Sequence, residues 1–325
     1  SVRSFAGYQP LLTRLDVSGG MRARNEIPRV SDLRAEHREG QTFLTWTEVE
    51  RQPGRDSATV SEFIRWRESM VVRSRRVRYR VYRAEAPITA ATIREAEFVD
   101  EVAPLSDWNL DLLGTAAGNE ERVPRYSLRD GAPPVGPDTA IYVVRAARTR
   151  KSYYAVSVAL DGEENLSVFE EGNAGGGVDE APGPGAPVLQ ETRENASLLG
   201  VRGATLHRYV RWETPPEVPV PSQPFDYLVA LPPDLKAPAP AGLFLHGWGG
   251  RLDRGFGSWT AAGQGAILIS AVQTLYDGWT GSHEHRGSWR SWKEGQVRPY
   301  TQDRLLRFVD WAVRRHPIDR ERIFV

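Results

Sequence analysis

Apolar and polar residues alternate with period two in several short segments of the first 170 residues. The clearest segments are TFLTWTEV (42–49), RVRYRVYRA (76–84), AIYVVRAART (140–149), SYYAVSVAL (152–160) and NLSVFE (165–170). Their β-branched and aromatic residues predict strands that together form an antiparallel sandwich. DGEEN (161–165) predicts a hairpin turn between the last two. The stretch 84–139 is too long for a simple connection and reads as an insertion, with a short helix in ITAATIREAEFVDEV capped by Thr89. At EGNAGGGVDEAPGPGAP (171–187) Gly and Pro dominate, no hydrophobic period survives, and an interdomain linker is expected.

Beyond that seam the texture changes. VLQETRE and LHRYVRWE read as strands, followed by a Pro-rich turn, TPPEVPVPSQP. DYLVAL (226–231), GLFLH (242–246) and AILISAV (266–272) are continuous apolar runs of strand length. Helical patterns fall near 256–263 and over 301–316, the second with Thr301 as its cap and Leu305, Val309, Ala312 and Val313 on one face. Pro317 ends that helix, and Ile323, Phe324 and Val325 begin what reads as a buried strand, so the sequence reads as part of a longer protein. Apolar strands alternating with helices predict a mostly parallel sheet with helices on both faces. The expected organisation is a lead segment 1–27, a β-sandwich 28–172, a linker 173–187 and an α/β region 188–325.

Composition narrows the chemistry. Forty-two basic and 42 acidic side chains cancel, so no global field draws in nucleic acid or anionic lipid. The basic run VVRSRRVRYR (71–80) reads as one solvated strand face rather than a nucleic-acid patch. Absence of cysteine excludes disulfides and thiolate chemistry in these residues. No apolar run is long enough to span a membrane, and the opening SVRSFAGYQP holds no signal-peptide core. Trp46, Tyr79, Tyr82 and Tyr154 read as core residues, with a sugar-binding platform as the other reading. Glu48, Glu50 and the pairs Glu120–Glu121 and Glu163–Glu164 read as solvating groups rather than paired glycosidase carboxylates.

The informative stretch is LFLHGWGG (243–250), a buried strand running into three glycines within four positions. Such a turn leaves backbone N–H groups unshielded, and fixed donors of this kind suit the oxyanion of an acyl-transfer reaction. A tight glycine turn closing a strand is the other reading. A second segment, YDGWTGSHEHRGSWRSWKEG (276–295), follows a strand on the edge where open α/β sheets bind ligands. It reads either as an aromatic wall for an acyl or sugar group, using Tyr276, Trp279 and His283, or as a loop pinned by buried Trp289 and Trp292. His283 and His285 with Glu284 lack a placed further ligand for a metal.

The order of the front strands, with Trp46 early, YRVYR in the middle and YYAVSVAL–DGEEN as the late hairpin, resembles a fibronectin type III domain. FDYLVALPPDL (225–235), LFLHGWGG, AILISAV and TQDRLLRFVDWAVRRHPIDRERIFV (301–325), in that order, resemble the α/β-hydrolase fold, particularly esterases of the polyhydroxybutyrate depolymerase and feruloyl esterase type. The resemblance implies a serine carboxylic-ester hydrolase, secreted or periplasmic, needing no cofactor and acting on a small-molecule or polymer ester. It also implies that the sandwich touches polysaccharide or a cell surface. Trp248 would donate its backbone N–H to the oxyanion, with Gly247 and Gly249 allowing the approach and His246 orienting the loop. A general-base role for His246 conflicts with the family order, in which the catalytic histidine follows the serine. No Gly-x-Ser-x-Gly occurs in the sequence, so serine, acid and histidine are expected beyond Val325. A prolyl-oligopeptidase-like peptidase shares the fold, but no propeller repeats precede residue 190. A non-catalytic carbohydrate- or protein-binding module is the competing class.

Overall fold

The computed structural model describes residues 27–49, 57–68, 77–110, 121–168, 172–198, 201–247, 252, 265–273, 278–286 and 290–325. In the front half, β1 (Ser31–Arg38), β2 (Gln41–Thr47), β3 (Ala58–Thr59), α1 (Val60–Glu68), β4 (Val77–Ala84), β5 (Glu97–Val102), β6 (Arg122–Val123), β7 (Thr139–Arg145), β8 (Arg150–Leu160), β9 (Glu163–Asn165) and β10 (Val178–Glu180) follow one another. One sheet runs β1-β2-β7; a second runs β10-β8-β4-β5, with β9 pairing β8. The inward residues of both enclose Leu44, Trp46, Tyr79, Val81, Tyr142, Tyr154 and Val156. β4 alternates buried and half-buried positions, and its outward Arg80 pairs with Glu101 and Glu164 at 3.0 and 2.6 Å. Asp161 and Gly162, both at positive φ, make the two-residue turn between β8 and β9.

The back half contains β11 (Val188–Leu198), β12 (Val201–Glu213), β13 (Gln223–Leu231), β14 (Ala239–Phe244), β15 (Ile267–Ala271), β16 (Ser282–His283), β17 (Val297–Arg298), α2 (Tyr300–Arg315) and β18 (Ile318–Phe324). Six of these strands form one sheet in the order β11-β12-β13-β15-β14-β18. This corrects the expected mostly parallel sheet flanked by helices. Its first three pairings are antiparallel, and only β14 with β15 and β14 with β18 run parallel. Among the described residues there are two helices, and only α2 packs on this sheet, through Leu305, Phe308 and Ala312. The other face is covered at the β11–β12 end by the front half. There Phe43, Tyr126, Ile141 and Val143 meet Val188, Val210 and Trp212. β13 is buried along nearly its whole length, with Phe225, Tyr227 and Val229 on the α2 side and Leu228 and Ala230 packed with Leu206, Leu252 and Leu268 on the other. A continuous apolar strand reports two covered faces and not what covers them.

Smaller differences have local causes. Residues 90–95 form turns rather than a helix, with Thr89 and Thr92 hydroxyls bonded to each other at 3.1 Å. α2 begins one residue before Thr301, has Pro299 at its cap position, and buries Thr301. The helix expected at 256–263 lies outside the described residues. The terminal strand expected to be buried is not: β18 is mostly exposed, Phe324 among its exposed residues, and Val325 after it is 81% exposed. The Gly/Pro stretch carries β10, and its Gly183 packs against Gly40 so closely that a Cβ would meet backbone at 2.5 Å. Glu48 is buried and accepts the Leu105 N–H at 2.8 Å, while Glu164 accepts from Tyr82 and Arg80, so these carboxylates bind protein groups rather than water.

Glu180 shows what this packing requires of a charge. Its carboxylate is fully buried and accepts from Thr42 (2.6 Å), Ser152 (2.7 Å), Tyr154 (2.5 Å) and Arg150 (3.2 Å). Burial alone would raise its pKa, yet the donors outweigh it and hold the group below the ordinary carboxylate value. Glu180→Ala, which leaves the Arg150 charge without its carboxylate, should cost about 3–5 kcal/mol in urea unfolding; a loss under about 1 kcal/mol would contradict the network's role. At the far edge, burial lowers the His316 pKa from 6.5 to about 4, helped by His207 and Arg315. The unfolded chain therefore binds more protons between those values, and this contribution to stability is lost as pH falls from about 6.5 towards 4. Asp100, raised by burial from 3.8 to about 6, works in the opposite sense over its own window. His316→Gln should shrink the drop in urea midpoint between pH 7 and pH 5; equal drops in variant and parent would refute the assignment.

Candidate active site

β14 is flanked on both sides by parallel neighbours, so its carboxyl end opens onto the sheet edge. The chain leaves it through Leu245, His246 and Gly247. His246 is 3% exposed, and both ring nitrogens are engaged. Nδ1 meets the Gly247 carbonyl at 3.0 Å, and Nε2 meets the Gln273 N–H at 3.3 Å. The carbonyl can only accept and the amide can only donate, which places the ring proton on Nδ1. A histidine tied at both ends holds a loop; neither nitrogen is available to take a substrate proton. The loop also carries Trp248 and Gly249, which lie outside the described residues, as does Tyr276.

Trp279 closes the arrangement from the second segment. Its Nε1–H donates to the His246 carbonyl at 3.0 Å, and its ring lies edge-on to the imidazole at 5.1 Å. It sits at φ 64°, a left-handed conformation that a bulky side chain adopts only when its surroundings hold it there. Gln273, the partner of Nε2, is placed by Val272, whose N–H donates to the Asp226 carbonyl at 2.9 Å. Arg304 of α2 reaches the Val272 carbonyl at 3.3 Å and the Tyr227 hydroxyl at 3.2 Å, and stacks over Phe225 at 4.0 Å. Burial raises the Tyr227 pKa, keeping that hydroxyl a neutral partner. Sequence reading missed Gln273 and Arg304. Arg304 had a readable signal: a basic residue four positions before Phe308, on the apolar face of a helix.

Trp279 and His246 are thus in contact, whereas His283 sits further along, in the β16–β17 hairpin, where its Nδ1 accepts from the His285 N–H at 3.1 Å. Trp292 corrects one expectation: it is 63% exposed rather than a buried pin, and Trp289 lies outside the described residues. Among the described residues no cluster of three His, Asp or Glu could hold a metal, and no helix is long and apolar enough to cross a membrane.

No protein-family model and no curated protein matches the chain. Among solved structures, a glucuronoyl esterase from Solibacter usitatus is similar at a TM-score of 0.27 and 16% identity, over 42% of this chain and 44% of that one. The chain thus spans less than half the length of that structure.

Trp279→Phe keeps the ring and removes only the donor to His246. Unfolding should be easier by about 1 kcal/mol, read as a shifted urea midpoint at unchanged slope; an unchanged midpoint would mean the bond holds nothing.

Proposed function

We propose that the loop after β14 is the oxyanion side of a serine carboxylic-ester hydrolase. The observation that carries this reading is the anchoring of His246: a buried imidazole bonded at both nitrogens, and a carbonyl held by Trp279, fix the start of Gly247-Trp248-Gly249-Gly250 at the carboxyl end of parallel strands. The reaction would run by attack of a serine oxygen on the acyl carbon, passing the carbonyl electrons to an oxyanion that the Trp248 N–H stabilises. Collapse expels the alcohol, which takes up the proton removed from serine, and water then releases the acid. Action outside the cytoplasm, with the sandwich contacting polymer or cell surface, belongs to the same reading.

The test uses the natural full-length protein with 4-nitrophenyl acetate and a fluorophosphonate probe, since the 325 residues contain no Gly-x-Ser-x-Gly. Ester turnover and serine labelling are expected. Trp248→Pro, which deletes the N–H, should lose about 10²–10³ in kcat, while Trp248→Phe, which keeps it, should lose far less. Absence of both turnover and labelling, or equal losses in the two variants, would reject the reading.

A further inference from the structure

Among the described residues three arginines are more than nine-tenths buried: Arg208, Arg211 and Arg304. Two of them have carboxylates, Arg208 from Asp226 at 3.1 Å and Arg211 from Glu213 at 3.1 Å. Arg304, 2% exposed, is held instead by the Tyr227 hydroxyl at 3.2 Å, the Val272 carbonyl at 3.3 Å and the face of Phe225 at 4.0 Å. A buried charge ordinarily needs an opposite one. Neutral groups that take its place are polarised by it.

The polarised groups lead to the glycine loop. The Val272 carbonyl and the Gln273 N–H are the two ends of one peptide group, so Arg304 Nη2 donates to one end at 3.3 Å while the other end donates to His246 Nε2 at 3.3 Å. Accepting at Nε2 leaves the ring proton on Nδ1, which donates to the Gly247 carbonyl at 3.0 Å. That carbonyl is one end of a second peptide group, whose other end is the Trp248 N–H, the donor proposed for the oxyanion. Every bond in the series runs from donor to acceptor in the same direction, away from the guanidinium. In such a series each bond strengthens the next. Resonance across a planar peptide group passes the effect on, because electrons drawn towards its oxygen make its N–H a better donor.

We infer that Arg304 is a positioning residue for the oxyanion donor: through two peptide groups and the His246 ring, its positive charge orients the Gly247–Trp248 peptide and strengthens the N–H that peptide presents. This role rests on the hydrolase reading and deepens it by giving the oxyanion a remote, buried source of positive charge. A carboxylate on the guanidinium, such as Arg208 and Arg211 have, would cancel that charge at its origin. The histidine conducts the effect only in the tautomer that its two bonds impose.

The test uses the natural full-length protein with 4-nitrophenyl acetate, kcat and KM being read separately, together with the nitrogen-15 signals of the His246 ring. Arg304→Met, uncharged and unbranched, should lower kcat about tenfold, less than loss of the donor itself, with KM within about twofold of the parent. Arg304→Lys, which keeps the charge, should recover most of that loss. The parent ring should carry its proton on Nδ1, and in Arg304→Met that preference should weaken. Equal losses in the two variants, a loss confined to KM, or a parent ring protonated on Nε2 would overturn the relay; the last is read on the parent and decides even if neither variant folds. Turnover and serine labelling indifferent to Arg304 would overturn the relay and leave the hydrolase reading in place. A parent with neither turnover nor labelling would reject that reading, and the catalytic role of Arg304 with it.

Discussion

Burying the carboxylate of Asp226 is the constraint on which the molecule is arranged. A charge removed from water must be given partners, and Asp226, 1% exposed, draws its own from two directions. Arg208 of β12 reaches it at 3.1 Å from within the sheet. Asn109, from the insertion of the front half, donates to its two oxygens at 2.9 and 2.7 Å. The sandwich half therefore completes the solvation of a residue in the back sheet. Around that polar point the seam is apolar and aromatic, with Trp212 edge-on to Phe43 and Tyr126 at 5.5 and 5.4 Å. Backbone groups are matched across it too: Gln41 donates to the Trp212 carbonyl at 2.8 Å, and the Val143 N–H to the Ser222 hydroxyl at 2.9 Å.

The candidate site stands at the end of the same set of bonds. The Asp226 carbonyl holds Val272, the next residue gives its N–H to His246, and Trp279 holds the His246 carbonyl. Fixing β13 against its neighbours thus fixes where the glycine loop begins. The chain at Leu245, His246 and Gly247 is held there by a buried histidine, a tryptophan in a left-handed conformation and, through Val272, a buried arginine. Donors proposed for an oxyanion are useful only when they are in place before charge develops.

Local elements were legible in the sequence where one rule decided them. Period-two alternation located β4 and β8, an Asp-Gly pair marked the turn after β8, and the apolar stripe of Leu305, Val309, Ala312 and Val313 marked α2. The sheet's arrangement was not legible, because β13 has the same continuous apolar run whether helices or a β-sandwich cover its faces. Glu48 misled for a related reason: the Leu105 N–H it accepts from is 57 positions away, so nothing near it in sequence announces its burial. At the candidate site, the glycine turn and His246 could be read locally, and Trp279 could be singled out as an aromatic. Its bond to His246, 33 positions away, depends on a fold that brings two loops to one edge.

The most direct measurement is a crystal structure of the natural full-length protein after reaction with a fluorophosphonate, whose tetrahedral adduct imitates the acyl intermediate. The account predicts a phosphonyl oxygen within hydrogen-bond distance of the Trp248 backbone N–H, with His246 still bonded to Gly247 and Gln273. An adduct whose oxygen is held elsewhere, or a His246 ring turned to meet the phosphonate, would contradict it.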